Sequence, residues 1–353
     1  MKYGINTLDD FAWGGKVVLC RVDINAPLDK ESGGLRDVTR LKGCAPTVRE
    51  LAEAGARVVL LAHQGGDLEY HNYASTEPHA AVMSELTGRE VGFVDDVCGP
   101  AAREAVGRLA DGEILLLDNV RFCAEELTLF ERKLELSPED QAKTLVVRKL
   151  APLADLYVCD AFAAAHRSQP TLVGFEQLLP SAMGRLFEKE YANLARLREE
   201  PARPCVFLLG GTKIQEAFPM MEAALADGVV DQVLAAGLVA NVMLAASGVE
   251  IGAASMEFIR TSQLEPYIEE SRRILATHGD KIVLPADVAV VRDGERAEVA
   301  VADLPVAEQI VDLGHAAVAD YAARIAAAGT VFVNGPAGMF ESKRVMRKLR
   351  PGR

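Results

Sequence analysis

Long apolar runs are missing from these 353 residues: none approaches the roughly 20 consecutive apolar positions that span a bilayer. A membrane-embedded protein is therefore not expected. The opening Met1-Lys2-Tyr3-Gly4 lacks the basic-then-apolar pattern of a secretion signal, so a cytoplasmic location is the expectation. Cysteine is scattered as well as sparse. Cys20, Cys44, Cys98, Cys123, Cys159 and Cys205 form no Cys-x-x-Cys pair and no grouping with histidine of the kind that holds zinc. Several sit in apolar runs, where reduced, buried thiols are expected. There is no Walker phosphate loop, no Ser-His-Asp order and no Gly-x-Gly-x-x-Gly after a strand, which disfavours P-loop enzymes, serine hydrolases and dinucleotide oxidoreductases. Positive charge is in deficit: 38 Lys and Arg face 51 Asp and Glu, for a net charge of −13. That balance argues against a nucleic acid or a membrane surface as partner, and any anionic small substrate would need a local basic pocket.

What is present reads as α/β. Half the residues are hydrophobic and a quarter charged, and the length exceeds what one core usually supports, so two domains are expected. Short apolar runs alternate with longer helix-like segments, as in parallel βαβ units. Strands are expected at 16–21, 57–62, 90–94, 113–117 and 156–159, with helices at 40–55 and 100–109. A helix over 181–198 follows Pro180. The alternation then restarts, with strands at 206–209, 232–235, 281–284 and 331–333 and helices at 219–226, 239–247 and 316–328. The organisation expected is an amino-terminal domain over 1–180, a connecting helix over 181–199, a carboxy-terminal domain over 200–341 and a divergent basic tail over 342–353.

Polar clusters fall where strands end, which is where ligands collect in such sheets. Arg21-Val22-Asp23-Ile24-Asn25-Ala26-Pro27 follows the first strand, with Arg36 and Arg40 beyond it. His63-Gln64-Gly65-Gly66-Asp67 follows the second. Asp118-Asn119-Val120-Arg121-Phe122 and Asp160-Ala161-Phe162-Ala163-Ala164-Ala165-His166-Arg167 follow two more. Guanidinium forks and amides in that number suit a phosphorylated carboxylic acid. In the second half, Leu208-Leu209-Gly210-Gly211-Thr212-Lys213, Gly237-Leu238-Val239-Ala240-Asn241, Leu284-Pro285-Ala286-Asp287 and Asn334-Gly335-Pro336-Ala337-Gly338-Met339-Phe340-Glu341 stand at comparable places.

In order and spacing these segments resemble the phosphoglycerate kinase family from about Val17 to Glu341, with His63-Gln64 and 165–170 leaning toward its archaeal branch. The resemblance implies an α/β fold of two Rossmann-like domains with parallel sheets. It implies reversible phosphoryl transfer between ATP and 3-phosphoglycerate, giving ADP and 1,3-bisphosphoglycerate, by a monomer that uses Mg²⁺. Asp23, Asn25, Arg40, His63, Gln64, Gly65, Gly66, Arg121 and Arg167 would hold the phosphoglycerate. Gly210, Gly211, Lys213, Gly237, Asn334 and Glu341 would serve the nucleotide, with Arg40 and Lys213 acting in catalysis and the metal ligands left open. Plainer readings stand beside these. Arg21 is structural and Arg36 solvated. Asp23 is a cap, Asn25 a turn residue, and Gly210-Gly211 a site of tight backbone packing. His71, His79, His278 and His315 are surface or loop residues.

The sequence departs from the family at three places. Gly66 and Asp67 replace an arginine and a proline, Ala217 replaces a second lysine, and a Gly-Gly-Gly-Asp-Thr nucleotide loop and a Ser-Thr-Gly-Gly-Gly segment do not follow Glu341. The expectation is a phosphoglycerate kinase fold lacking its last elements. The alternative function is a catalytically impaired or silent relative that binds phosphoglycerate only.

Overall fold

The structure, a computed structural model, describes residues 1–29, 31–65, 73–131 and 136–339. Two compact units divide the chain, Met1–Asn193 and Leu194–Arg353. The first contains, in order, β1 (Val17–Arg21), α1 (Thr39–Glu53), β2 (Arg57–Leu61), α2 (Glu77–Thr87), β3 (Val91–Val94), α3 (Pro100–Arg108), β4 (Ile114–Leu117), α4 (Ala124–Glu131), α5 (Pro138–Gln141), α6 (Leu145–Leu150), β5 (Leu156–Cys159) and β6 (Ser181–Met183). The unit boundary falls within α7 (Arg185–Glu199). The second unit continues with β7 (Cys205–Leu209), α8 (Ile214–Ala226), β8 (Gln232–Ala235), α9 (Gly237–Ala246), α10 (Ala253–Thr261), α11 (Pro266–His278), β9 (Ile282–Val283), β10 (Asp287–Arg292), β11 (Glu295–Ala300), β12 (Ile310–Leu313), α12 (His315–Ala326) and β13 (Thr330–Asn334).

In the first unit six strands pair in parallel in the order β3-β4-β2-β1-β5-β6. Side chains alternate between the two faces, and both faces are covered. Val18, Cys20, Val58, Leu60, Ile114, Leu116 and Val158 pack with Leu41, Cys44, Val48 and Leu51 of α1 and Met83 of α2. Leu19, Val59, Leu61, Leu115, Leu117 and Tyr157 pack with Ala102 and Val106 of α3 and Val146, Val147 and Leu150 of α6. A strand buried on both faces must be apolar throughout, which is why these strands are continuous apolar runs in the sequence. Helix α1 shows the other period: its buried residues Leu41, Cys44, Ala45, Val48, Leu51 and Ala52 recur every three or four positions. Each fully buried aliphatic side chain stabilises the unit by about 1.5–3 kcal/mol relative to exposure.

The segment expected as one helix from Ser181 splits. Ser181–Met183 instead pairs in parallel with β5, Tyr157 opposite Ser181 and Cys159 opposite Met183, and the helix starts at Arg185. Burial of Ala182 and Met183 in the sheet outweighs their helix propensity.

The second unit has a parallel sheet in the order β13-β7-β8-β9. One face packs on α8, α9 and α11 through Phe207, Leu209, Val233, Phe218, Met221, Val242 and Ile274. The other packs on Ala317 and Tyr321 of α12. A second sheet, β11-β10-β12, is antiparallel and adds to the parallel architecture read from the sequence. Four of the six cysteines are buried as expected, but Cys98 and Cys123 are half-exposed, because both stand in loops beyond the sheet.

Candidate active site

Ligands of an open parallel sheet gather beyond the carboxyl ends of its strands, above all where the strand order reverses. In the first unit the reversal lies at β1: the chain runs outward through β2 on one side and β5 on the other. The loops after β4, β2, β1 and β5, four adjacent strands, carry the arginines, histidine and amides singled out above.

These loops are tied to one another by side chains. Asp23 is buried; its Oδ2 accepts from Arg40 Nη1 at 2.7 Å, and its Oδ1 accepts from the Asn25 N–H at 3.3 Å. Asn25 Oδ1 accepts from the Gly65 N–H at 3.1 Å. Gly65 sits at φ +91°, a conformation suited to glycine, and its carbonyl accepts from the buried Arg121. Asn119, fully buried, accepts at Oδ1 from the Gln64 N–H (3.2 Å) and the Arg121 N–H (3.1 Å), and donates from Nδ2 to the carbonyls of Gln64 (2.8 Å) and Ala74 (3.0 Å). Asn119 was read from the sequence only as part of a motif. Its position between a strand end and Arg121 was the signal that could have marked it. Arg167, on the loop after β5, is half-buried, whereas Gly66 and Asp67 lie outside the described residues.

His63 lies among these loops, and the position of its proton is set by Arg21. Arg21 is fully buried and donates to Thr171 Oγ1 at 3.0 Å, to the Val22 carbonyl and to His63 Nδ1 at 3.0 Å. A guanidinium has no acceptor, so Nδ1 must accept and Nε2 must carry the proton. Burial first, then the charges of Arg21, Arg121, Arg167 and Arg40, hold the His63 pKa well below its ordinary value. The ring is thus a neutral N–H donor among four cations.

Gln64 lies in the same loop with a different commitment. Its amide is buried, donating to the Ala26 carbonyl at 2.8 Å and accepting from the Ala26 N–H at 3.0 Å and from His79 Nε2 at 3.0 Å. His79 is accordingly no surface residue: it is fully buried on α2, and burial lowers its pKa to about 4. Its partner is not visible in the sequence because Gln64 is 15 positions away. Arg36 does pair at the surface, with Asp29 at 3.0 Å.

In the second unit, a cavity of about 690 Å³ is lined by Gly210, Gly211, Thr212, Lys213, Gly237, Leu238, Asn241, Phe258, Pro285, Val288, Ile310, Asp312 and Asn334, among others. Its size and largely apolar wall suit a nucleoside. The glycines act first as a backbone clamp. The N–H groups of Gly210, Gly211 and Gly237 donate to the carbonyls of Asn334 (2.8 Å), Pro336 (2.7 Å) and Ala337 (2.8 Å). A Cβ on Gly210 would lie 2.4 Å from the Pro336 carbonyl oxygen, and one on Gly335 2.4 Å from that of Gly210. These amides are therefore spent inside the protein. Nearby, the first turn of α8 presents backbone N–H groups that no side chain caps, with Lys213 as the N-cap residue. Glu341 lies outside the described residues. Among the described residues no three acidic, histidine or cysteine side chains converge as a metal cage. The carboxylate in the cavity wall, Asp312, is taken by Arg296 at 2.7 Å and the Leu313 N–H at 2.9 Å.

Arginine-bearing strand-end loops on one α/β unit and a lysine-flanked cavity on the other are compatible with an enzyme of the phosphotransferase class. The phosphoglycerate kinase signature matches residues 8–347, and the chain belongs to the phosphoglycerate kinase family. It is 45% identical over 342 residues to the phosphoglycerate kinase of Methanothermobacter thermautotrophicus, covering 97% of this chain and 81% of that one. It is 44% identical to that of Halobacterium salinarum, covering 96% and 83%. The crystal structure of phosphoglycerate kinase from Pyrococcus horikoshii OT3 superposes with a TM-score of 0.86 at 37% identity, over 96% of this chain and 82% of that one. Similarity of this extent favours the kinase over a relative that only binds phosphoglycerate.

Proposed function

We propose that the first unit binds 3-phosphoglycerate through Arg40, His63, Arg121 and Arg167, and that the second binds ATP or ADP at the glycine-framed cavity. The observation that carries this reading is the convergence of four arginine charges on one neutral histidine in a protein of net charge −13. Asp23 and Asn25 orient Arg40 and Gly65, and Asn119 and Gln64 hold the loops in place. Gly210, Gly211 and Gly237 shape the nucleotide cavity, and Lys213 with the first turn of α8 meets the phosphates. Asn334 and Glu341 belong to the same nucleotide site.

In the forward direction a carboxylate oxygen of 3-phosphoglycerate attacks the γ-phosphorus of ATP, forming an acyl phosphate as the bond to ADP breaks. The nucleophile is already ionised at neutral pH, so no general base is needed. Positioning and charge stabilisation remain, and Arg40 and Lys213 supply them. Mg²⁺, when bound, neutralises phosphate charge. Among the described residues no three acidic, histidine or cysteine side chains converge to hold it. No helix among the described residues is long and apolar enough to cross a membrane, and a monomer working in the cytoplasm completes the reading.

Arg40→Ala and Lys213→Ala test these roles. Each should lower kcat about 10²-fold or more. Arg40→Ala should weaken 3-phosphoglycerate binding in calorimetry and leave ATP binding intact, and Lys213→Ala should do the reverse. The same loss of both ligands in both variants would contradict the assignment.

A further inference from the structure

Cys98 and Cys123 are 25 positions apart in sequence, but the fold brings them together. β3 and β4 pair in parallel with Val94 opposite Leu117, and the loops that leave them are joined by the Asp118 N–H donating to the Asp96 carbonyl at 3.2 Å. Cys98 stands in the first loop, one residue before Gly99, the N-cap of α3. Cys123 stands in the second, immediately before α4 and two residues after Arg121. They are the two half-exposed cysteines of the six. Interaction with Cys123 pulls the Cys98 pKa down to about 7, and interaction with Cys98 raises that of Cys123. Lys149 on α6 also favours the Cys98 thiolate, whereas Asp96, Glu125 and burial oppose it. A thiolate with partial access to solvent and a second thiol beside it is the arrangement of a redox pair.

We propose that Cys98 and Cys123 form a reversible intramolecular disulfide, with Cys98 as the attacking thiol and Cys123 as the resolving one. The Cys98 thiolate attacks one oxygen of hydrogen peroxide; the S–O bond forms, the O–O bond breaks, and hydroxide leaves to be protonated to water. The Cys123 sulfur then attacks the Cys98 sulfenic acid, forming the S–S bond and releasing a second water with its own proton. Two thiols and one peroxide thus give one disulfide and two waters, and a dithiol reductant reverses the bridge by exchange. Because Cys123 follows the turn that carries Arg121, the bridge draws that turn toward α3. On the substrate assignment made above, this raises KM for 3-phosphoglycerate.

Peptide mapping of the full chain after near-stoichiometric peroxide, with free thiols alkylated before and after denaturation, tests the bridge. The expected product joins residues 90–103 to residues 122–132, with the other four cysteines still alkylatable. In Cys123→Ser, Cys98 should instead be trapped as a sulfenic acid by a cyclic dione. Retention of both thiols at that dose, or bridges that join other cysteines or two chains, would overturn the proposal. Kinetics of the fully bridged protein, compared with dithiol-treated protein and peroxide-treated Cys98→Ser, read the effect on the Arg121 turn. An expected rise in KM of severalfold, reversed by dithiol and absent in Cys98→Ser, supports it; an unchanged KM overturns that coupling, while the mass of the linked peptides reports the bridge independently of any substrate.

Discussion

His63 illustrates how a residue's chemistry follows from one buried neighbour. Arg21 can only donate, so His63 Nδ1 accepts and Nε2–H is left for a ligand. Long-range nitrogen-proton spectra should therefore show Nε2 protonated and Nδ1 bare at neutral pH, with no imidazolium forming near the ordinary His pKa of 6.5. A histidine titrating at 6.5 would contradict this geometry. His63→Ala should weaken 3-phosphoglycerate binding about tenfold, and His63→Gln, which keeps an N–H donor, should weaken it less. The sequence placed His63, Arg121 and Arg167 in strand-end loops, and Arg40 at the start of the helix after the first strand, because those positions follow from apolar periodicity alone. It did not reveal that Gln64 is spent on Ala26 and His79, since such pairings depend on tertiary contact between distant segments.

Among the elements, the parallel strands were legible because two covered faces demand apolar residues at every position. The β10–β11 hairpin carries its own turn signal. Arg292-Asp293-Gly294-Glu295 has both central residues at positive φ, +51° and +78°, as the favoured two-residue hairpin turn requires. Gly294→Ala should therefore cost about 1 kcal/mol or more in chemical denaturation of the second unit. Helix α11 was harder to see: its buried positions include Ser271 as well as Ile274, which thins the apolar stripe. Helix α7 carries a titratable cap. Asp160 is fully buried and accepts from the Phe187 N–H at 3.0 Å, and desolvation raises its pKa to about 7 against these hydrogen bonds. A folded-state pKa above the unfolded one means the folded chain binds the proton more tightly. The contribution is thus full below pH 4 and is lost as pH rises from about 4 to about 7. Asp160→Asn should flatten this part of the stability–pH curve relative to the parent chain. An unchanged difference between the two proteins from pH 4 to 7 would show that Asp160 does not titrate there.

At the scale of the whole molecule, a chain with a net charge of −13 gathers Arg21, Arg40, Arg121 and Arg167 around His63 in one unit and sets Lys213 beside a cavity in the other. Overall charge argued against nucleic acid and membrane surfaces as partners, and the order of strand-end motifs pointed to the family; neither could show that the cavity glycines bond to 334–337. Phosphoryl transfer itself is read by ADP release with 3-phosphoglycerate, ATP and Mg²⁺, with 1,3-bisphosphoglycerate drawn off by a coupled reduction. ADP formation should require 3-phosphoglycerate, saturate in both substrates and fall about 10²-fold or more in Lys213→Ala. Saturable binding of 3-phosphoglycerate by the same preparation, with ADP formation no higher than in Lys213→Ala, would contradict it.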